Sequence, residues 1–440
     1  MAVHLGLLVV FDLAANLPWS LLLLGCGFAA LAWAVLRLRP RDGGGTGPRT
    51  AGILLVAALL RLILLPLPPT LSDDLVRYVW DGRVVAAGEN PYRWAPEAPE
   101  LTPLRDERWR RMPHKEVPTV YPPVALGAFS IAATTPWPLG AIKILLVLAD
   151  LLTCLLLVRL ADLRNLPRHR TLLYAWNPLV VLEVAGMGHV DALAVAGAVA
   201  AVTLLAAPRP RPAAAGVAAA AGILAKLGPL AALPLWTRHA SRPVRFLAVA
   251  GGLTAVLVLP VLVSVGGVPP GLVTYGVDWE FNGPLYEPLW RVLDAAGAAD
   301  LAARALDAYK EATEQWTRWN FLYPWFYPQF FAKVLLGLLA LGVVARSVFE
   351  ADLVAGTRRL FGGLLLLAAT VYPWYLLWVL PWAALTGSVA WIVLSASILW
   401  SYVPQHTGME LFPGWFLLVW LPFWGAWLIQ QARRRWLSTS

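Results

Sequence analysis

Residues 71–92 read LSDDLVRYVWDGRVVAAGENPY and follow directly on LLVAALLRLILLPLPPT at 54–70. The apolar run is typical of a membrane-inserted helix. The stretch after it predicts a second helix, for which Ser72 is a favourable N-cap and Gly88 and Asn90 are stop signals. Three aspartates therefore lie on a helix that begins where the chain leaves the bilayer.

The aspartates of this helix share one side. At about 100° per residue, Asp73, Asp74, Arg77 and Asp81 fall within one polar arc, and apolar residues such as Val79 fill much of the opposite side. This pattern predicts an amphipathic helix at the membrane surface, with its apolar side toward lipid or neighbouring spans. Asp73 and Asp74 are open to two interpretations. They either stabilise the helix N-terminus through the helix dipole or take part in a catalysed reaction.

The composition is that of a polytopic all-α membrane protein. The 440 residues are 59% hydrophobic and 14% charged, with a mean hydropathy of +0.64, whereas soluble domains carry about 25% charged residues. Runs at 17–38, 137–160 and 413–430 reach the length of a span. The net charge of +9 comes mainly from arginines in short loops, which follows the positive-inside rule and argues against nucleic-acid binding.

The basic loops predict one transmembrane domain over 1–440, with 10 to 13 membrane elements. They place the N-terminus outside, the RPRDGGGTGPRT linker and the C-terminus in the cytoplasm, and loops 70–121 and 266–323 on the extracytoplasmic side. Segments 121–136 and 213–236 break the alternation, so we interpret both as half-membrane or broken elements. Without Lys or Arg in the first 36 residues, no cleaved signal peptide is expected. Cys26 and Cys154 are expected to be packing residues.

Ionisable residues inside apolar segments mark the candidate site. Glu183, His189 and Asp191 lie within YAWNPLVVLEVAGMGHVDALAVAG, where such groups are costly and are functional candidates. A purely structural Glu183–His189 pair is the alternative, and the His-x-Asp pattern is too weak to indicate a metal site. Lys226 is the only charge in AAAAGILAKLGPLAALP, where it either snorkels to an interface or binds a phosphate at a helix break.

Aromatic residues crowd a late segment, TVYPWYLLWVLPWAAL at 370–385. Tyr372 and Trp374 in this segment are candidates for substrate contacts. An aromatic belt at the membrane interface is the alternative.

These motifs, taken in order, resemble the GT-C superfamily of glycosyltransferases that use lipid-phosphate sugars. The ordered set is SDD, DGRVVAAGENPY, YPP from Tyr121, DLLTCLLLVRL, WNPLVVLE, GHVDALA, AKLGPLAALP and YPWYLLW. The resemblance is closest to the catalytic subunit of GPI mannosyltransferase I and to bacterial polyprenol-phosphate-dependent mannosyltransferases. It covers roughly residues 50–240 and the YPWYLLW region.

The resemblance implies a catalytic carboxylate in the first extracytoplasmic loop, here Asp73 or Asp74. Asp81 matches a further acid of that loop, His189 and Asp191 match a polar G-[HN]-x-D segment, and Lys226 matches a lysine before a proline break. It implies a polyprenyl-phosphate hexose donor, with mannose favoured, and a lipid-linked or envelope glycan acceptor. The active site of a bacterial inner-membrane enzyme would then face the periplasm.

This chemistry requires a base for the acceptor hydroxyl and cations for the leaving phosphate. Lys226 and Arg77 are the expected cations, with Arg83 a weaker one because it projects toward the apolar side. No obligatory metal is expected, because a lipid monophosphate can leave without a metal that bridges two phosphates. The adjacent aspartates Asp73 and Asp74 keep the binding of a divalent ion as an alternative. The competing classes are a transporter or flippase of lipid-linked sugars and a non-catalytic assembly subunit.

Overall fold

The structure of the chain, a computed structural model, describes residues 12–39 and 48–439. The predicted outward N-terminus and most of the RPRDGGGTGPRT linker, including Arg41, lie outside the described residues. Within the described ranges the protein is all-helical, with two isolated β-bridges that join residues 281 and 282 to Thr370. The predicted fold class, an all-α polytopic membrane protein, is confirmed.

The first half of the chain forms helices α1 to α9. They are α1 (Leu17–Arg37), α2 (Thr50–Leu64), α3 (Asp74–Ala86), α4 (Pro123–Ala133), α5 (Pro138–Leu163), α6 (Asp191–Ala206), α7 (Pro212–Ala225), α8 (Leu233–His239) and α9 (Pro243–Val265). Short helical turns connect α5 to α6, including Pro178–Val181 and the π-helical turn Leu182–Met187.

The second half forms helices α10 to α17. They are α10 (Pro270–Asp278), α11 (Tyr286–Ala295), α12 (Ala298–Thr313), α13 (Pro328–Ser347), α14 (Leu353–Leu367), α15 (Leu380–Thr386), α16 (Val389–Ser397) and α17 (Phe416–Thr439). The 3-10 helix Pro373–Trp378 lies between α14 and α15. Loop 266–323, predicted only as an extracytoplasmic segment, therefore contains three helices, α10 to α12.

Five described helices are long and apolar enough to cross a membrane: Leu17–Arg37, Pro138–Leu163, Pro243–Val265, Pro328–Ser347 and Leu411–Trp436. The first four begin with a proline in the first turn, where its missing N–H costs no helical hydrogen bond. The last continues beyond the predicted 413–430 span, so the QQARRRW segment is helical and not a free tail.

The two predicted irregular segments are short or broken. α4 has 11 residues and rises about 17 Å, roughly half of the hydrocarbon core. α7 ends at Ala225, Lys226 is extended, and the chain resumes with the 3-10 turn Gly228–Ala232 before α8. The KLGP sequence thus breaks the helix as expected.

Helix α3 differs from its prediction in two ways. The helix begins at Asp74, with Asp73 rather than Ser72 at the N-cap, and Asp73 makes no capping hydrogen bond with its side chain. The Ser72 hydroxyl nevertheless accepts a hydrogen bond from the Asp74 amide at 3.3 Å. The predicted exposed polar face is also wrong in part, because Asp81 is only 2% exposed.

The apolar residues of α3 pack against two parts of the protein, the main core and the loop that follows the helix. Leu75 and Val79 join the main core, whereas Trp80 and Val84 pack against Leu101 and the other apolar side chains of the loop that follows. Gly82 allows α3 to touch α4, because a β-carbon there would lie 2.2 Å from the Phe129 carbonyl oxygen. The contact fixes the position of the whole acidic helix.

A buried charge network that the sequence did not reveal joins α2 to α5. Arg61 forms a salt bridge with Asp150, and both side chains are fully buried. Tyr174 donates to the other Asp150 oxygen at 2.6 Å, and Arg61 also donates to the Ala175 carbonyl at 2.7 Å. Because the charges are paired and hydrogen-bonded, their burial is tolerated. The network holds the spans that flank the candidate site.

Candidate active site

The two adjacent aspartates at the start of α3 have different surroundings. Asp74 accepts a hydrogen bond from the Tyr78 hydroxyl at 3.3 Å, and its Oδ2 lies 3.9 Å from His189 Nε2. The Asp73 carboxylate has no hydrogen-bond or ion-pair partner within residues 12–39 and 48–439 and lies on the wall of a cavity. Of the two carboxylates, Asp73 is therefore the one without a partner among the described residues.

The electrostatics at Asp73 favour proton uptake. Partial burial, followed by the negative charge of Asp74, raises the pKa of Asp73 above its ordinary value, and the nearby His406 opposes this rise. A carboxylate with a raised pKa is a better proton acceptor than an ordinary surface aspartate.

Arg77 and Asp81 bind each other one turn apart. Arg77 Nε donates to Asp81 at 2.9 Å, and the two terminal nitrogens donate to the backbone carbonyls of His114 and Val117 at 3.1 and 2.7 Å. Asp81 also accepts from the Thr119 hydroxyl at 2.6 Å. Burial raises the pKa of Asp81, which Arg77 and Thr119 oppose. The pair thus anchors the loop before α4, and only Arg77 reaches the cavity.

Glu183 and His189 form a fully buried pair behind the start of α3. His189 Nδ1 lies 3.0 Å from Glu183 Oε2, and Tyr402 donates to Glu183 Oε1 at 2.8 Å. His189 Nε2 lies 3.2 Å from the Ser72 hydroxyl. The left-handed backbone at Gly188, with φ of +80°, closes the π-helical turn that brings the two residues together. The pair therefore supports the segment of chain that presents the aspartates.

Asp191, at the start of α6, and Lys226, directly after α7, form a second pair. Lys226 Nζ donates to both Asp191 oxygens, at 2.9 and 2.7 Å, and Trp378 Nε1 donates to Oδ1 at 2.7 Å. Asp191 is fully buried, whereas the Lys226 side chain is 26% exposed and reaches the cavity. The snorkelling alternative for Lys226 is wrong, because its ammonium group contacts a buried acid.

Four rings stack in series beside these pairs. Phe281 stacks on Tyr372 at 4.7 Å between ring centroids, Tyr372 on Trp374 at 4.5 Å, and His189 on Trp374 at 4.0 Å. Trp374, Trp378 and Trp382 are 5%, 8% and 1% exposed. These three rings are therefore buried in protein, and Trp374 and Trp378 also line the cavity described below.

A cavity of about 760 Å³ brings most of the predicted residues together. Seven of them line it: Asp73, Asp74, Arg77, Tyr121, Lys226, Tyr372 and Trp374. Glu183, His189 and Asp191 are buried behind the wall, and Asp81 is buried beneath the loop. Arg83 lies elsewhere, where it donates to the Leu104 carbonyl at 3.1 Å and pairs with Asp106 at 2.9 Å.

The cavity is amphipathic, because acids and cations share its lining with aromatic and aliphatic side chains. Tyr121 contributes its ring, which meets the Tyr78 ring edge-on at 5.0 Å. Helix α10 and the end of α14 close the far side through residues such as Tyr275 and Leu365. Within the described part of the chain, no group of three or more His, Cys, Asp and Glu side chains is arranged to hold a metal ion.

The family model MptA_B, described as the N-terminal domain of alpha-(1->6)-mannopyranosyltransferase, matches residues 3–242. The chain belongs to this family. No curated protein matches the chain. This MptA_B-family protein is a membrane glycosyltransferase, and the resemblance to bacterial GT-C mannosyltransferases is confirmed. The matched half contains the aspartate pair, the Glu183–His189 pair and Lys226, whereas the aromatic wall comes from beyond it.

The transferase also has cavity residues that the sequence analysis missed. His406 and Gln405 line the cavity near Asp73, and His114 and Tyr275 line it from the two large loops. Only one weak signal pointed to His406, a polar SYVPQHTGME segment between two apolar runs. His114 lies in an ordinary-looking loop, so only the packing of that loop against α10 reveals it.

Proposed function

We propose that the protein transfers mannose from a polyprenyl-phosphate donor to a glycan or glycolipid acceptor, with Asp73 as the general base. One observation supports this most directly: an unpartnered carboxylate and a lysine ammonium group line the same amphipathic cavity. The alternative base, Asp74, already accepts a hydrogen bond from Tyr78 and lies beside His189.

In the proposed reaction the acceptor hydroxyl oxygen attacks C1 of the sugar while its proton passes to the Asp73 carboxylate. The bond between C1 and the phosphate oxygen breaks, and the polyprenyl phosphate leaves with the bonding electron pair. Single displacement inverts the anomeric centre. An alpha-(1->6) product, the linkage in the family description, would then require a β-linked donor.

Lys226 is the proposed cation for the leaving phosphate. Its ammonium group is fixed by Asp191 and lies 4.9 Å from the centre of the Tyr375 ring, which orients it at the cavity wall. A preorganised cation stabilises charge that develops on the leaving oxygen without reorganisation. Arg77 is a weaker candidate, because all three of its nitrogens already donate to protein acceptors.

The apolar part of the cavity suits the polyprenyl chain. Aliphatic side chains of α14 and α10 face the aromatic wall there. The distribution of basic loops supports the proposal that this cavity faces the extracytoplasmic side of a bacterial inner membrane and that the C-terminus lies in the cytoplasm. We expect no metal requirement, so EDTA should leave the transfer rate unchanged.

The decisive test is mannose transfer by Asp73→Asn and Asp74→Asn proteins with synthetic β-mannosyl polyprenyl phosphate. Asp73→Asn should lower kcat by about 10²–10⁴-fold, the usual contribution of a general base. Asp74→Asn should retain measurable turnover. Full activity of Asp73→Asn would refute the assignment. Movement of intact donor across liposomes, with no transfer to any acceptor, would instead support the flippase alternative.

A further inference from the structure

A second cavity, of about 290 Å³, lies between α14, α16 and α17. Arg358 and Arg359 border it from the second turn of α14, and Leu366 borders it from the last turn, whereas Phe361 and Leu364 of the same helix line the active-site cavity. Arg434 borders it from the last turns of α17, and the active-site residue His406 precedes the start of α17. The two cavities thus lie on different faces of α14, and within the described residues α17 lines only the second one.

The charge of this cavity is unbalanced. Its lining includes three arginines and no carboxylate. Arg359 pairs with Glu350, but Arg358 and Arg434 form no ion pair or hydrogen bond with any residue the structure describes. The Nε of Arg358 is buried and lacks an acceptor. Because an unsatisfied buried donor is costly, the Nε of Arg358 favours an acceptor in this cavity, and the positive charge of the three arginines favours an anionic one.

Three aromatic side chains also line this cavity, Trp391, Phe423 and Trp427. Trp391 and Phe423 pack with ring centroids 4.8 Å apart, and both are buried. Trp427 at the rim is 41% exposed, and the adjacent Leu428 and Ile429 are each 59% exposed on a membrane-length helix. An anion in this cavity would therefore lie beside hydrocarbon chains.

We propose that this second cavity binds the phosphate head group of an anionic membrane lipid. Arg358 and Arg434 donate to the phosphate oxygens, a geometry that guanidinium groups match well. Trp427 lies against the first part of the lipid chain. Free phosphate shares the head-group chemistry, but it gains nothing from the apolar rim, so the lipid-borne form is the expected ligand. This site is independent of the proposed transfer reaction.

Native mass spectrometry of the full-length protein with added phosphatidylglycerol tests the proposal. Wild type should retain one phosphatidylglycerol and no phosphatidylcholine. Arg434→Gln and Arg358→Gln should each bind about tenfold more weakly, the loss of about one charge-assisted hydrogen bond. Arg433→Gln is the matched control, because this neighbouring arginine does not line the cavity, and it should bind like wild type.

Three results would overturn the proposal. Equal loss in Arg433→Gln and Arg434→Gln would indicate general surface attraction. Displacement of phosphatidylglycerol by millimolar inorganic phosphate would indicate a site for free phosphate. Unchanged binding in Arg434→Gln would exclude the cavity itself, and this variant decides the question even if Arg358→Gln does not fold, since Arg434 is exposed at a helix end.

Discussion

The Lys226–Asp191 pair allows a structural role to be separated from a catalytic one. Lys226→Met leaves Asp191, which is fully buried, with Trp378 as its remaining donor. Removal of one partner of a buried ion pair costs about 3–5 kcal/mol. Because the Lys226 side chain is 26% exposed, we expect the lower end, about 3 kcal/mol.

Substitution of the partner residue, Asp191, should lower the free energy of unfolding by less. Asp191→Asn removes the counter-charge of Lys226, but the ammonium group can still be hydrated in the cavity, so we expect a loss of about 1–2 kcal/mol. The double variant lacks the unpaired buried carboxylate, and it should be more stable than Lys226→Met alone. The two substituted residues are in contact, so the effects should be non-additive by more than the cost of Asp191→Asn alone, about 2–3 kcal/mol.

Two measurements on the same four proteins complete this cycle. The free energy of unfolding in mixed micelles reports the ion pair, and mannose transfer reports the leaving-group role. We expect the double variant to regain stability without regaining turnover, because the methionine that replaces Lys226 supplies no cation to the phosphate. Recovery of both properties would show that Lys226 serves only as the counterion of Asp191. Wild-type stability of Lys226→Met would refute the ion-pair reasoning.

Two further predictions concern helix α3. The acid limb of the pH profile of kcat/KM should follow ionisation of Asp73, which must lose its proton to act as base. Asp74→Asn removes a neighbour that raises the pKa of Asp73 and should move the limb to lower pH. His406→Gln removes a neighbour that opposes this rise and should move the limb to higher pH. Shifts in the reverse directions would show that another group titrates. Gly82→Ala should destabilise the protein by more than about 2 kcal/mol, because its β-carbon would lie 2.2 Å from a backbone carbonyl oxygen of α4. Gly127→Ala, with open space at its β-carbon, is the control in a thermal unfolding assay, and equal stability of the two variants would contradict the contact.

The active-site cavity combines segments that are far apart in the chain. Loop 70–121 supplies the aspartates, the α7 break supplies the lysine, and the segment after α14 supplies the aromatic wall. α10, from loop 266–323, closes the side opposite α3. The carboxylate, the cation and the apolar groove thus come from separate segments of the chain, and Lys226 contacts the aromatic wall at Tyr375.

The sequence by itself determined the membrane class, the helix that follows the apolar run at 54–70 and the helix break at Lys226. These features are local, because hydrophobic length, helix caps and proline breaks depend on neighbours along the chain. It also identified Glu183, His189 and Asp191 as candidate functional residues, because burial of an ionisable residue in an apolar segment is costly wherever it packs.

Only the tertiary structure decided how these charges are paired and which carboxylate is free. Asp73 and Asp74 are adjacent and chemically identical, and their difference comes from Tyr78 on the same helix and from His189 and His406, which lie far away along the chain. The burial of Asp81 depends on the Thr119 loop in the same way. Local patterns predict which residue types lie on one helix face. The partners of a charge, however, come from contacts between distant segments, and such pairings leave no periodic pattern in the sequence.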